Sequence, residues 1–393
     1  MSIAIKQPIP QLGWRKYLWL LSTVVPCLGM MSIVGYTYSG NGLWAWWGIF
    51  FVYVIIPALD LIFGEDTTNP DETQVPELES HALFRWLVII NVPIQYAATV
   101  WGAWMIAHYH PAWWVTLGFI FTIGGINGIG INTAHELGHK KEKFERWLSK
   151  VALGPTCYGH FFVEHNRGHH KNVATPQDPA SAKMGESFWH FLPRTMIGSL
   201  RSAWHLEAER LARLGKSPWS WDNENLRAWS VSVVFFGVLV AWLGWGVLPF
   251  LLIQAFYGAS LLEVVNYIEH YGLLRQKSAD GRFVRCEPEH SWNSNQVVSN
   301  LFLYHLQRHS DHHAHPTRRY QSLRHFDQSP QLPAGYAAML VMAYVPWIWY
   351  RVMNPRVVQH YQGQAQLINL YPPRREALIK RYHLSTPAPA SAR

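Results

Sequence analysis

Histidine is concentrated in three short blocks of this sequence. The blocks contain eight histidines, namely His135 and His139, then His165, His169 and His170, then His309, His312 and His313. Positions three or four residues apart share a face of a helix, so the histidines of the first block, and those of the third, can point their imidazoles at one place. This spacing predicts that the blocks bind a shared ligand.

A metal ion is the ligand that best explains the blocks. A buried imidazole must stay neutral and find hydrogen bonds for both ring nitrogens, so packing eight together is costly unless a cation uses their lone pairs. Zinc takes four protein ligands in structural sites and three in catalytic sites, fewer than the sequence offers. Because imidazole also suits iron and copper, two redox-capable ions are the economical interpretation.

A ninth histidine and four carboxylates extend the candidate site. His270 lies at the end of the last long apolar run, on the same side as the blocks, and we predict that it is a ligand. Carboxylates commonly accept the free N–H of a ligating imidazole. Four carboxylates are adjacent in sequence to predicted ligands and are predicted to be such partners: Glu136, Glu164, Glu269 and Asp311.

The composition favours a membrane protein. Of 393 residues, 49% are hydrophobic, 21 are Trp and only 15% are charged. The formal charge of +8 does not indicate a nucleic-acid partner, because the basic residues flank apolar runs, as membrane topology requires. The three cysteines (Cys27, Cys157 and Cys286) form no CxxC pair, which argues against a disulfide framework and against a built-in iron–sulfur or rubredoxin-type centre.

Six apolar runs are long enough to cross a bilayer at roughly 20 residues each. They lie at about 17–36, 43–63, 86–107, 113–132, 229–245 and 247–267. Short turns join them into three hairpins, and Trp residues crowd their ends, as expected at the headgroup level. The sequence therefore predicts an all-α integral membrane protein with six transmembrane helices in three hairpins and a helical cap that carries the histidines.

The charge pattern predicts that this cap is cytoplasmic. Segments rich in Lys and Arg lie on the cytoplasmic side, and none of the three hairpin turns contains either residue. Both termini, the regions 133–228 and 268–384, and the metal site are then cytoplasmic. The first block is expected just past the fourth run, the second in the segment that follows, and the third after the sixth run.

Three other stretches have simpler explanations than their sequences first suggest. The glycines at 124, 125, 128 and 130 lie inside an apolar run with no preceding strand, which favours close helix packing over a nucleotide loop. The stretch 336–349 is short for a span and contains Pro346, which favours a buried or interfacial helix. After a membrane domain at 1–384, residues 385–393 have the Pro/Ala composition of a linker.

These motifs resemble those of the bacterial membrane alkane 1-monooxygenases (alkane omega-hydroxylases), in the histidine-rich membrane desaturase and hydroxylase superfamily. The resemblance rests on His135-Glu-Leu-Gly-His-Lys140, Glu164-His-Asn-Arg-Gly-His-His170, Asn266-Tyr-Ile-Glu-His-Tyr-Gly-Leu273 and Leu306-Gln-Arg-His-Ser-Asp-His-His-Ala314. It extends from the first run to about Tyr371. The spacings of the three histidine blocks are typical of the superfamily. The motif that begins at Asn266, together with Gln307-Arg308 before the third block, narrows the resemblance to the alkane hydroxylases.

The resemblance implies a di-iron site of two non-haem iron ions in a protein of the bacterial inner membrane. It implies that O2 and medium- or long-chain n-alkanes are substrates, that the terminal methyl is hydroxylated to a 1-alkanol, and that rubredoxin supplies two electrons. Rubredoxin is itself reduced by a rubredoxin reductase. In some members rubredoxin is fused to the hydroxylase, and the Pro/Ala tail would suit a linker to such a domain.

The residues themselves are consistent with that chemistry. An unactivated C–H bond offers no acid and no leaving group, so acid–base groups alone cannot cleave it, whereas a metal centre supplied with O2, electrons and protons can. The sequence shows no flavin, nicotinamide or iron–sulfur motif, so an external donor is required. Nine histidines would divide between two irons at four or five each. Basic residues at 140–146 and 318–324 are candidates to dock an acidic carrier.

Three alternatives use the same residues differently. A fatty-acyl desaturase or an aryl-methyl hydroxylase of the same superfamily uses similar ligands, so only the product discriminates. A membrane zinc protease would use His135-Glu-Leu-Gly-His139 as an HExxH motif with Glu136 as base, and this leaves two blocks unexplained. A non-enzymatic metal-binding or transport protein would hold metal without oxygen-dependent turnover.

Overall fold

The computed structural model describes residues 12–386, so most of the predicted linker (387–393) lies outside the described residues. Over that range the chain is helical, and β-structure is limited to isolated bridges. The principal helices are α1 (Trp14–Ser39), α2 (Gly42–Phe63), α3 (Ala82–Tyr109), α4 (Trp113–Gly138), α5 (Lys143–Ala152), α6 (Phe188–Ala212), α7 (Glu224–Leu243), α8 (Trp245–His270), α9 (His309–Ala314), α10 (Tyr336–Ala343), α11 (Pro346–His360) and α12 (Arg375–Tyr382).

Six of these helices are long and apolar enough to cross a membrane. They are α1, α2, α3, α4, α7 and α8. Short turns pair them into three hairpins, and α5, α6 and α9 to α12 belong to the connecting and C-terminal regions. The predicted fold class, an all-α protein with six membrane helices and a helical cap, is confirmed for the described residues.

Two membrane helices continue beyond the apolar runs that predict them. Helix α4 extends to Gly138 rather than residue 132, and α8 extends to His270 rather than residue 267. Polar side chains in these added turns, including His135 and His270, are buried. Because they are buried among protein groups and not in lipid, a helix can continue past the end of its apolar run. The first histidine block therefore begins inside α4.

Glycines bring α4 and α8 into backbone contact. A Cβ added at Gly124 would lie 2.6 Å from the carbonyl oxygen of Gln254, and one added at Gly128 would lie 2.8 Å from that of Gly258. Small residues at helix interfaces allow such close approach in membranes. The packing role predicted for these glycines is confirmed. The close contact fixes the position of α4 relative to α8 along their axes, in the part of both helices that leads to the histidines.

A polar network reinforces this contact in the middle of the bundle. The amide nitrogen of Asn127 donates to Gln254 at 2.8 Å and to Thr99 at 2.9 Å. The amide nitrogen of Gln254 donates in turn to the carbonyl of Pro155 at 2.7 Å. Interhelical hydrogen bonds of this kind join α3, α4 and α8 and tie them to the segment before the second histidine block.

The connecting and C-terminal regions form a cap, which packs on the histidine-side ends of the membrane helices, called their inner ends below. The buried Arg308 guanidinium donates to the carbonyls of Asp66, Thr68 and Leu323. The connector between α2 and α3 is thereby bound to the third histidine block. Short helices at Val75–Ser80 and Val297–Phe302 complete this layer.

We expect Gly124→Ala to destabilise the protein by about 1–3 kcal/mol, because the new methyl group overpacks the α4–α8 contact. Gly237→Ala is the matched control, since a Cβ there meets nothing within 4 Å. Unfolding of both variants in mixed micelles measures the difference. Equal stability of the two variants would show that the close contact does not hold the helices in register.

Candidate metal centre

The nine predicted histidines come from four parts of the fold. His135 lies in the last turn of α4, His139 directly after that helix, and His270 at the end of α8. His165 and His169 lie on a π-helical turn, Glu164–His169, His170 follows it directly, and the third block lies on α9. A π-turn is rare and often marks a functional site. Gly168 within it lets the Glu164 carboxylate approach closely, since a Cβ there would lie 2.5 Å from a carboxylate oxygen.

The histidine nitrogens form two clusters, in each of which the candidate ligand atoms lie within 4.8 Å of one another. The first cluster contains His135, His139, His165, His170 and His312, and the second contains His169, His270, His309 and His313. Neighbouring residues therefore serve different clusters, because consecutive side chains on a helix point about 100° apart. The third block does not converge on one place as its spacing predicted, since His312 joins the first cluster.

Hydrogen bonding among neutral imidazoles does not satisfy the first cluster. The Nε2 atoms form a chain of contacts, from His135 to His312 at 2.8 Å, on to His170 at 3.1 Å and on to His165 at 3.0 Å. Each neutral Nε2 either donates one proton or accepts, and one donor serves one contact. Hydrogen bonds thus satisfy at most two of the three contacts. A cation would accept all four lone pairs.

Three further Nε2 atoms also lack a partner. The Nε2 atoms of His139, His169 and His270 are buried and have no hydrogen bond. Leaving a buried polar atom unpaired costs about 1–3 kcal/mol. A bound metal ion would remove that cost, so the donor set fits metal in both clusters.

Burial keeps most of these imidazoles neutral, as ligation requires. It lowers the pKa well below the ordinary histidine value for His139, His165, His170, His309, His312 and His313. Burial acts in the same direction on His169, but the adjacent Asp178 carboxylate outweighs it and raises the pKa of that histidine.

Hydrogen bonds from the opposite ring nitrogens fix the tautomers of two histidines. Nδ1 of His169 lies 3.0 Å from the Asp178 carboxylate, and Nδ1 of His270 lies 3.2 Å from the carbonyl oxygen of His290. Both oxygens only accept, so each Nδ1 carries a proton, and in the neutral ring each Nε2 presents a lone pair. Asp178 was not predicted as a partner, since it is nine residues from His169 in a polar loop and no spacing rule connects the two.

The four predicted carboxylates occupy different environments. Glu269 lies 3.2 Å from Nε2 of His309 and accepts a hydrogen bond from Tyr336 at 2.9 Å. Glu164 is buried beside the second block with neither oxygen hydrogen-bonded, and burial raises its pKa to about 7. Glu136 instead pairs with Lys140 at 2.8 Å. Asp311 pairs with His315 and Arg318.

These positions disfavour the zinc protease. A protease base must face the metal-bound water, whereas Glu136 is paired with Lys140 and accepts from the Tyr320 amide. The two histidines of the motif also share their cluster with three more, which exceeds the three protein ligands of a catalytic zinc.

An apolar cavity ends at the histidines. Helix α4 lines it from Thr122 to His135, a length of about 20 Å at the α-helical rise. Residues of α1, α2, α8 and α10 form its other walls, and His165, His309 and Glu269 lie at its inner end. No Lys or Arg of residues 12–386 lines it.

The fold and the histidines define the class of protein. Residues 111–343 match the family model described as fatty acid desaturase. The match covers more than half of the chain and includes all nine histidines. The chain therefore belongs to the fatty acid desaturase family of membrane proteins.

Curated relatives define the group within that family. The chain is 46% identical over 376 residues to an alkane 1-monooxygenase of Acinetobacter baylyi, covering 95% of this chain and 92% of the relative. It is 47% identical over 386 residues to an alkane 1-monooxygenase of Ectopseudomonas oleovorans, covering 96% and 94%. Identity to the hydroxylase component of a xylene/toluene monooxygenase of Pseudomonas putida is 24% over 84% of this chain and 86% of the relative. The chain belongs to the alkane 1-monooxygenases and is an enzyme of this kind.

We expect Asp178→Asn to weaken metal binding by about 10–100-fold, because the neutral amide loses the charge that orients His169. Metal retained per chain after a chelator titration measures the effect. Asp327→Asn is the control, since the Asp327 side chain is 98% exposed. Unchanged retention in Asp178→Asn would remove Asp178 from the centre.

Proposed function

We propose that this chain is a di-iron alkane hydroxylase of the bacterial inner membrane, which uses O2 and two electrons from rubredoxin to convert n-alkanes to 1-alkanols. The observation that carries the proposal is an apolar cavity that leads directly to two buried histidine clusters, in a chain that belongs to the alkane 1-monooxygenases.

Two ions fit the nitrogen donors better than one. Five and four histidines form separate clusters, and imidazole is a ligand that suits iron. Bound iron would supply the redox chemistry that activates O2. The chain's own residues contribute the rest: Asp178 and the His290 carbonyl hold two ligand tautomers, and the apolar walls exclude water.

The cavity lining favours an unfunctionalised chain as substrate. A fatty-acyl substrate carries a carboxylate or a larger polar head, which needs a cation or several donors, and no Lys or Arg in the described part of the chain lines the cavity. An alkane has no such requirement. Its methyl end can reach His135, His165 and His309, while its remaining carbons contact apolar side chains of α2, α4 and α8. This arrangement supports terminal hydroxylation.

We expect the electrons to come from outside the described residues, from a separate or a fused rubredoxin. The three cysteines are free and far apart, so the described residues hold no iron–sulfur centre of their own. Of the basic residues predicted to dock a carrier, Lys140, Arg318 and Arg324 are paired with acidic residues. Lys141, Lys143 and Arg146 remain exposed and are the better candidates to meet an acidic rubredoxin. The positive-inside pattern supports a cytoplasmic face for this surface.

Metal content and turnover test the proposal together. We expect the detergent-purified protein to hold about two irons per chain, one per histidine cluster. It should convert octane or dodecane to the 1-alkanol when supplied with rubredoxin, its reductase, NADH and O2. Two irons without alkanol formation would redirect the assignment to acyl or aryl substrates. Zinc near one equivalent would reopen the protease.

We expect His312→Ala to lose octane oxidation and to lower the iron content while the protein still inserts into the membrane. His312 contacts both His135 and His170, so its loss removes a donor from the centre of the first cluster. His315→Ala is the matched control, because His315 lies next to the same helix and its side chain pairs with Asp311 rather than with a histidine of either cluster. Full octane oxidation by His312→Ala would exclude His312 as a ligand.

A further inference from the structure

Helices α10 and α11 form a hairpin outside the six membrane helices, and its tip is apolar and exposed. Residues 328–350 contain no charged side chain. Trp347 at the tip is 67% exposed and Val341 on α10 is 45% exposed. Exposed large apolar groups that lie together mark a contact surface.

The hairpin rises along the membrane helices toward the middle of the bilayer. At its base, Tyr336 donates to Glu269 near the inner end of α8. Helix α10 then packs against α8 and against residues 51–55 of α2. Tyr53 in that segment is ten residues from the inner end of α2 at Phe63, about 15 Å, which is half of a hydrocarbon core of about 30 Å.

Most backbone polar groups of the turn at the tip are hydrogen-bonded within the protein. The amides of Tyr344, Val345 and Ile348 donate to carbonyls within the hairpin, and Pro346 has no amide hydrogen. The Tyr344 carbonyl accepts from the indole nitrogen of Trp189 at 3.0 Å. Irregular backbone persists in hydrocarbon only when its polar groups are paired in this way.

Trp189 belongs to a second exposed apolar surface, which runs along α6. Trp189, Ile197 and Leu200 are 56%, 52% and 42% exposed and follow one another at helical spacing. The adjoining exposed arc is polar, with Arg201 and with His205, which pairs with Glu209. An exposed surface divided between an apolar and a polar half is typical of a helix that lies in a membrane interface.

We propose that the tip of the α10–α11 hairpin inserts into the acyl chains of the leaflet on the histidine side, and that α6 lies in the same leaflet with its Trp189–Leu200 face in lipid. The two surfaces are continuous, because the Trp189 and Tyr344 rings are 5.9 Å apart. Near the bundle they adjoin helices that already expose apolar side chains, such as Leu61 and Ile62 of α2.

This arrangement makes α10 the wall between lipid and the cavity. Tyr336, Ala337 and Leu340 of α10 line the cavity, while Val341 points away from it and is exposed. A single helix therefore separates acyl chains from the space that ends at the histidines.

Cysteine labelling in open membrane sheets, where reagent reaches both faces, tests the insertion. The native cysteines are replaced by serine, and Val341→Cys, Trp347→Cys and Ile197→Cys are each treated with a charged, membrane-impermeant maleimide. We expect labelling about tenfold slower than for Asp327→Cys, because an apolar surrounding suppresses the reactive thiolate. Val234→Cys, at a 63% exposed position of α7, sets the rate for a lipid-facing residue.

Nitroxides at the same three sites give a second measurement that does not depend on thiol chemistry. We expect relaxation by O2 to exceed relaxation by a water-soluble nickel chelate, with elution volume and metal content showing that each variant is folded. Labelling of the three sites at the Asp327→Cys rate would overturn the proposal. Efficient cross-linking between chains through Trp347→Cys would also overturn it, because a second copy would then cover the tip.

Discussion

Nine imidazoles, seven buried and two partly buried, must gather in two clusters, and the rest of the structure serves that convergence. The rings belong to parts of the chain up to 178 residues apart, from His135 to His313. Burying them removes water as a hydrogen-bond partner, and the Nε2 contacts of the first cluster have no complete hydrogen-bonded solution among neutral rings. A bound cation would resolve this conflict, and metal binding and the folded arrangement of the cap would then depend on each other.

The histidines can gather only if the helices that carry them cannot slide along their axes. Gly124 and Gly128 let the α4 backbone touch α8, and Asn127 joins the same two helices through Gln254. A shift of one turn, about 5.4 Å, would move His135 and His270 apart by more than the width of either cluster. Contacts in the middle of the bundle thus set the positions of ring nitrogens about 10–16 Å away along α4.

The carboxylates divide between two tasks. Asp178 and Glu269 contact histidines of the second cluster, where a negative charge orients an imidazole. Glu136 and Asp311 bind Lys140, His315 and Arg318, and so hold the cap together. The carboxylates of Glu136 and Asp311 are thereby paired with other residues and not with the histidine nitrogens of the first cluster. The apolar cavity meets the clusters from the membrane side, where a nonpolar chain costs nothing to desolvate.

Local sequence determined the features that depend on neighbouring residues. Apolar runs of span length predicted six membrane helices, because lipid demands about 20 apolar residues whatever the rest of the chain does. Histidine spacing predicted which residues gather. Only the tertiary structure decided the division into clusters of five and four, the separation of His312 from His309 and His313, and the pairing of Asp178 with His169. These depend on how distant helices are rotated and docked, and no periodicity within one segment specifies that.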